Sequence, residues 1–452
     1  MLWFLPMLTR REFVTSLTLP LAAGVMTARG AAADARVDAA ALRRRIEELS
    51  VFGRPAGGSF ADGVSRVSYS QADIQGRAYV MRLMRAAGIE PAIDPAGNIF
   101  GRRPGSSPDL PPILFGSHID SVPSGGNFDG DLGSLAALGA IEACAAADVR
   151  TRHPLEMVVW AHEEGVAFNR GLAGSRIVAG DIQPADLDQV WNGLRRADAI
   201  RTIGGDPDRI TAARRAKGSH HCYLELHIEQ GGTLEKSGTP VGVVEGIVCV
   251  ERHEAVITGF ANHAGTTPMD QRQDAMIAAA QLTLAVRDIV TASPGRQVGT
   301  VGQIEIAPNA PNVVPGLAKL VIELRDLSTD KLTDLGERIR ARAADIASAT
   351  RTQVEIRRVS RNPPAVATPE VQSAIERASS ALGLASARLP SGAGHDAQSM
   401  AQLGPMGMIF VPSIGGVSHS PKELTSWQDC AQGANVLLQT ILLVDRGELD
   451  AV

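Results

Sequence analysis

The sequence predicts an α/β protein: a mixed, mostly parallel sheet sandwiched by helices, with a smaller ferredoxin-like β-α-β-β-α-β domain inserted into it. Three observations carry this. Strand-like apolar runs alternate with helical runs over most of the chain, the pattern of a sheet covered on both faces. Between 248 and 363 the order of elements changes to that of a split β-α-β-β-α-β unit. And 452 residues exceed the ~250–300 at which one hydrophobic core stops growing.

The elements follow in order. An amphipathic helix runs from Asp38 to about Ser50. PPILFGSHID (111–120) is an apolar strand entering a polar loop, and GSLAALGAIEACAAA (133–147) reads as a buried helix. LEMVVWAHEEG (155–165) is a second apolar strand that ends in acids. CYLELHIEQG (222–231) and VGVVEGI (241–247) are two more strands. In the insert, ERHEAVITGF, VGQIEI, LAKLVIELRDL and TQVEIRRV are strands. DAMIAAAQLTLAVRDIV and DKLTDLGERIRARAADIA are its helices. RNPPAVATPE (361–370) is the linker back to a helix from Pro369, the strand MGMIFVPS and a last helix from Trp427 to about Val444. The expected division is therefore 36–247 with 364–452 for the larger domain and 248–363 for the insert.

Composition narrows the function classes. Hydrophobic residues make up 44% and charged residues 21%, ordinary for a soluble protein. The net charge of −5 argues against a nucleic-acid surface, which needs a basic face. No interior stretch has the ~20 uninterrupted apolar residues of a membrane span, so no stable membrane insertion is expected. Residues 1–35 read differently. Arg10 and Arg11 precede Phe13, a short apolar run and then small residues, the order of a twin-arginine export signal. A periplasmic or secreted location is the expectation, with the cytoplasm as the alternative. Cys144, Cys222, Cys249 and Cys430 show no paired spacing and are expected in the core.

The chemistry-bearing residues sit at strand ends. His118 and Asp120 stand where an apolar strand gives way to a loop, and Asp129 follows in a turn rich in glycine. In an H-x-D pair the imidazole can bind a metal while the aspartate fixes its tautomer. Glu163 and Glu164 close the second apolar strand, and such a doublet can place a general base beside a metal ligand. His227 shares a strand face with Glu225 and Glu229, and His419 follows the Gly415–Gly416 turn. Alone, the doublet and these two histidines are weak signals, because solvated acids and structural histidines are common. Together the set of imidazoles and carboxylates suits zinc, manganese, cobalt or nickel. Two metals sharing a carboxylate could activate one water and clamp the attacked carbonyl.

Nine segments in order, HID, GGNFDGDLG, AHEEG, LELHIEQG, FANHAGTTPMDQR, PNAPNVVPG, ELRDL, SGAGHDAQ and GGVSHSPKE, resemble the amidase branch of the aminoacylase/carboxypeptidase superfamily. That branch contains N-carbamoyl-L-amino-acid hydrolases, allantoate amidohydrolases and β-ureidopropionases. The likeness runs from about Leu42 to the C-terminus. It implies an enzyme that hydrolyses a C–N bond in a small ureido or amide substrate bearing a carboxylate. It implies two divalent ions, zinc foremost, held by His118, Asp129, Glu164, His227 and His419, with Asp129 bridging. Glu163 would be the general base and Asp120 the partner of His118. His263 would polarise the scissile carbonyl from a second subunit of a homodimer. Asn312 and Arg325 would hold the substrate carboxylate, a task that suits the planar guanidinium fork. Gln230 and the chain at Gly394 and His395 would make further substrate contacts. The insert would act as lid and dimerisation domain.

The chain departs from its relatives' usual N-E-E-G-x-R-F at His162 and Ala167. His162 is not expected to be a ligand. An aminoacylase or dipeptidase of the same superfamily is the nearest alternative, and a non-catalytic exported binding protein a remote one.

Overall fold

A computed structural model describes residues 34–168 and 170–449. The leader expected over residues 1–35 lies, up to residue 33, outside the described residues. The chain forms two compact units. One comprises the chain up to Val244, Ala367–Leu389 and the chain from His395; the other comprises Glu245–Val366 and Pro390–Gly394.

The first unit is built on a mixed sheet. Its strands lie side by side in the order Pro91–Ile93, Ile99–Arg103, Leu155–Trp160, Ile113–His118, Cys222–Ile228, Met406–Val411 and Val241–Ile247. The middle four are mutually parallel. The flanking Ile99–Arg103 and Val241–Ile247 run antiparallel to their neighbours. Every residue of Ile113–His118, Leu155–Trp160, Cys222–Ile228 and Met406–Val411 is buried. Strands covered on both faces need no polar alternation, which is why these segments read as continuous apolar runs.

Helices Ala39–Leu49, Asp131–Ala146, Pro369–Ala381 and Trp427–Leu443 close the main core. Ile46, Leu49, Leu135, Leu138, Ile375, Leu437 and Ile441 pack there with Ile113, Phe115, Leu224 and Leu226. Local chemistry starts the helices where they begin. The Asp38 carboxylate accepts the Ala41 N–H at 2.9 Å, and the Ser426 hydroxyl accepts the Asp429 N–H at 3.0 Å. Each cap satisfies a donor that the first helical turn leaves over.

One buried ion pair braces this unit. Arg66, 1% exposed, pairs with Asp131 at the start of its helix. Its guanidinium also donates to the carbonyls of Leu49 and Phe52, both at 3.0 Å. Removing the arginine strands a buried carboxylate and leaves carbonyls without donors. We therefore expect Arg66→Ala to cost about 3–5 kcal/mol, read as a lower urea midpoint at unchanged slope.

The second unit has a four-stranded antiparallel sheet in the order Val298–Ala307, Leu317–Asp326, Cys249–Thr258 and Gln353–Asn362. Helices Ala275–Ala292 and Thr329–Thr350 separate the strands so that the chain order is β-α-β-β-α-β. Their Leu282, Val286, Leu335 and Ile339 pack on Ala255, Ile257, Leu320 and Ile322. Alternating burial along Cys249–Thr258 marks a strand with one face in that core. Ala275–Ala292 is long and apolar enough to cross a membrane, but its inner face belongs to this core. The return of 390–394 to the second unit had no counterpart in the sequence reading. All four cysteines are free and buried.

Candidate metal centre

The four parallel strands deliver their C-terminal ends to one edge of the sheet. Ile113 is level with both Leu155 and Cys222, and Ile228 is level with Val411. This edge is where α/β sheets carry their ligand sites. His118 is the last residue of its strand, and Asp129 lies in the loop after it. Glu163 and Glu164 follow Trp160 through His162, whose φ of 56° turns the chain. His227 precedes the end of its own strand, and His419 lies in the loop beyond Val411.

The bridging expectation for Asp129 is visible in its two oxygens. Oδ1 stands 3.4 Å from His118 Nε2 and 3.1 Å from His227 Nε2. Oδ2 stands 3.5 Å from His419 Nε2, which is 3.4 Å from Glu164 Oε2. Two triplets result, His118–Asp129–His227 and Asp129–Glu164–His419, each with its ligand atoms within 4.8 Å of one another. Tautomers agree with this. His118 Nδ1 lies 3.0 Å from the Asp120 carbonyl and His227 Nδ1 2.9 Å from the Ile228 carbonyl. A carbonyl only accepts, so each Nδ1 carries a hydrogen and each Nε2 is the atom turned inward, able to bind metal once it gives up the proton it shares with Asp129. Imidazole nitrogens and carboxylates converging without competing cationic side chains fit divalent cations. Gly130 makes the approach possible: at φ 68° it lies so close to the His118 ring that a Cβ would fall 2.5 Å from it.

Electrostatics of the metal-free chain follow from this crowding. Burial works against ionisation of Asp129, yet His227 and hydrogen bonds from His118, His227 and His419 hold it well below the usual carboxylate range. His118 stays well above an ordinary histidine because Glu163, Asp129 and Asp120 outweigh its burial. Its hydrogen bond to Asp129, with Glu164 behind it, lifts His419 to about 9 against the effect of burial. Burial and then Asp129 lift Glu164 to about 8. Burial raises Glu163 well above its ordinary value, with His118 opposing and Glu164, Asp396 and Asp120 adding.

These shifts set a sign. A raised pKa keeps the ligand protonated to higher pH, and a protonated ligand cannot bind metal. Affinity for zinc should therefore rise with pH toward about 9, and binding at about pH 7 should release more protons than at about pH 10. Calorimetry in buffers of different ionisation enthalpy counts those protons.

Asp120 differs from the expectation. The group that meets His118 Nδ1 is its main-chain carbonyl, and its carboxylate lies 3.8 Å away. That carboxylate instead accepts the N–H groups of Glu163 and Glu164, at 3.1 and 3.2 Å, and the Ser68 hydroxyl at 2.6 Å. It holds the acidic doublet in place. Glu163, 8% exposed, brings Oε2 to 3.7 Å from His118 Nε2, beside the cluster rather than in either triplet.

Gln230 reaches the centre too, donating Nε2–H to Asp129 Oδ2 at 2.7 Å. The His395 ring is buried against His227, with centroids 4.5 Å apart. His162 takes no part; its ring packs on Tyr69 and Phe168.

His263, Asn312, Arg325 and Gly394 belong to the second unit. His263 Nδ1 accepts N–H bonds from Gly265 and Thr266 at 3.0 and 3.2 Å, so its exposed Nε2 carries a hydrogen to donate. The Asn312 carbonyl accepts the Ala264 N–H at 3.0 Å, and His263 pairs with Val313. Both residues stand beyond the Leu317 end of the strand Leu317–Asp326. Arg325 sits near its other end, about 27 Å of extended chain away, bonded to Glu323 and to the Gly392 carbonyl. Asn312 and Arg325 are the residues expected to hold the substrate carboxylate. Within one chain they are too far apart for a small substrate.

Glu423 and Glu225 also serve the site, although the sequence alone does not mark them as functional. Glu225 takes the Ser117 hydroxyl at 2.7 Å and the Ala397 N–H at 3.0 Å, tying the strands of His118 and His227 to the helix after His395. Its signal was its place two residues before His227, on the same strand face.

Known proteins are similar to this chain in sequence and in fold. Residues 114–443 match the family described as Peptidase family M20/M25/M40. An N-carbamoyl-L-amino acid amidohydrolase of Geobacillus stearothermophilus is 40% identical over 408 residues, 90% of this chain and 98% of its own. A ureidoglycolate hydrolase of Arabidopsis thaliana is 36% identical, over 90% of this chain and 86% of its own. Among solved structures, an amidase of the hydantoinase/carbamoylase family from Burkholderia multivorans superposes with a TM-score of 0.84 at 32% identity, covering 91% of this chain and 98% of that one.

Proposed function

The chain belongs to the M20/M25/M40 peptidase family and is a hydrolase of carbon–nitrogen bonds, and from that premise we propose that it cleaves an N-carbamoyl-L-amino acid or a related ureido acid with the help of two divalent ions that His118, Asp129, Glu164, His227 and His419 would hold. The observation that supports this most is the split of Asp129, one oxygen toward His118 and His227 and the other toward His419.

When bound there, such ions supply Lewis acidity, acidifying water and polarising the carbonyl. The residues do the rest. Glu163 takes the proton of the attacking water and returns it to the departing nitrogen. Asp120 keeps Glu163 and Glu164 apart and aimed by holding their backbone N–H groups. His263 donates from Nε2 to the carbonyl oxygen as negative charge develops there, and Arg325 takes the substrate carboxylate. The separation of His263 from Arg325 supports a homodimer in which the two act on one substrate from different chains. In the same proposal the leader exports the folded protein.

A panel of N-carbamoyl-L-amino acids, their D-isomers, allantoate, ureidopropionate and dipeptides tests the substrate class. Turnover confined to L-carbamoyl or ureido acids is expected. Preference for dipeptides would replace this reading by a peptidase one.

A further inference from the structure

We infer that Glu423 is a positioning residue that sets the geometry of both metal half-sites without binding metal itself. The inference rests on reading the cluster at Asp129 as a metal centre.

Glu423 is 3% exposed and lies on the loop that carries His419. Its Oε1 accepts the backbone N–H groups of Phe128 and Asp129, at 3.0 and 3.1 Å. Its Oε2 accepts the Ser418 hydroxyl at 2.8 Å, and that hydroxyl also lies 3.1 Å from Asp129 Oδ2. One carboxylate thus pins the backbone of the shared ligand, and through Ser418 it engages the shared ligand's side chain and the residue before His419. Asp129 serves both triplets, so a shift of its backbone misplaces ligands for both.

The loop is shaped to receive this group. A Cβ on Gly126 would fall 2.1 Å from Glu423 Oε1 and 2.2 Å from its carboxyl carbon. Only a residue without a side chain lets the carboxylate lie flat against this loop. That gives the second glycine of GGNFDGDLG a reason distinct from turn geometry, and it links that motif to the glutamate of GGVSHSPKE.

An amide can stand in for part of this. Glutamine at 423 keeps an oxygen for the two N–H groups, and Ser418 can rotate to accept from the amide while donating to Asp129. Alanine removes every bond.

The test is zinc titration of metal-stripped full-length protein against a chelator, with kcat and KM measured at limiting and at saturating zinc. For Glu423→Ala, both zinc equivalents should bind about 10–100-fold more weakly. Its kcat should return to within about threefold of wild type at saturating zinc, because Glu163 is untouched. Glu423→Gln should recover most of the affinity. Gly126→Ala, which keeps the carboxylate but displaces it, should weaken zinc by at least about tenfold, and it carries the test if Glu423→Ala does not fold. Wild-type zinc affinity in Glu423→Ala or in Gly126→Ala would overturn the inference alone, as would a kcat loss that excess zinc does not restore. Failure of the wild-type protein to take up zinc would overturn the metal-centre reading together with it.

Discussion

Glu163→Gln should lower kcat about 10²–10⁴-fold while leaving the bound metal content unchanged. The side chain sits beside the cluster, 3.7 Å from His118 Nε2, and belongs to neither ligand triplet. In the proposed mechanism it accepts a proton, which an amide cannot do. Burial and the neighbouring Glu164, Asp396 and Asp120 raise its affinity for a proton, while His118 opposes them. A base placed in that environment can both take a proton from water and give it up to a leaving amine. Because glutamine has nearly the same shape, KM should move by less than about threefold. Metal analysis run beside the kinetics separates a lost base from a lost ligand.

Asp129→Ala should be more severe. Both triplets share this carboxylate, so its removal takes one ligand from each half-site and leaves His118, His227 and His419 without their common partner. We expect loss of metal on dialysis and a fall in kcat/KM of more than about 10⁴-fold. Substituting Glu164 or His419 alone disturbs only the second triplet, and should leave about one tightly held equivalent. Unequal stoichiometry in these variants is the signature of a shared bridge.

The comparison of sequence with structure divides along physical lines. The parallel strands were legible because burial on both faces makes them unbroken apolar runs, as in PPILFGSHID and MGMIFVPS. The helices and strands of the second unit were legible because a one-sided core enforces the 2.0 and 3.6 periods. The short strands Pro91–Ile93, at the edge of the sheet, and Ile99–Arg103 beside it were not, since they are brief and partly exposed. Nor was the helix Gln71–Ala86, where Arg77 and Asp73 are buried among apolar residues and blur the stripe.

The site divides in the same way. His118, Asp129, Glu164, His227 and His419 are legible as a set only through the resemblance carried by nine ordered segments, since the acidic doublet and the two later histidines are weak signals alone; the structure brings the five together. Glu423 was not singled out, because hydrogen bonding to backbone N–H groups leaves no demand that sequence spacing can reveal. The role of Asp120 was assigned to the wrong atom for a related reason: an H-x-D spacing does not say whether carbonyl or carboxylate meets the ring. The distance between Asn312 and Arg325 needed the strand register, which places Arg325 level with Val250, far from the His263 loop.

The central claim is that hydrolysis of a ureido acid needs two ions, which His118, Asp129, Glu164, His227 and His419 would hold. It is tested most directly by adding zinc, manganese or cobalt stepwise to metal-stripped protein. Ammonia release from N-carbamoyl-L-amino acids is followed at each step. The account predicts no turnover without metal, a rise that saturates at about two equivalents per chain, and free L-amino acid and carbon dioxide as the other products. Full turnover in metal-free protein, or none on any carbamoyl or ureido acid with both sites filled, would contradict it.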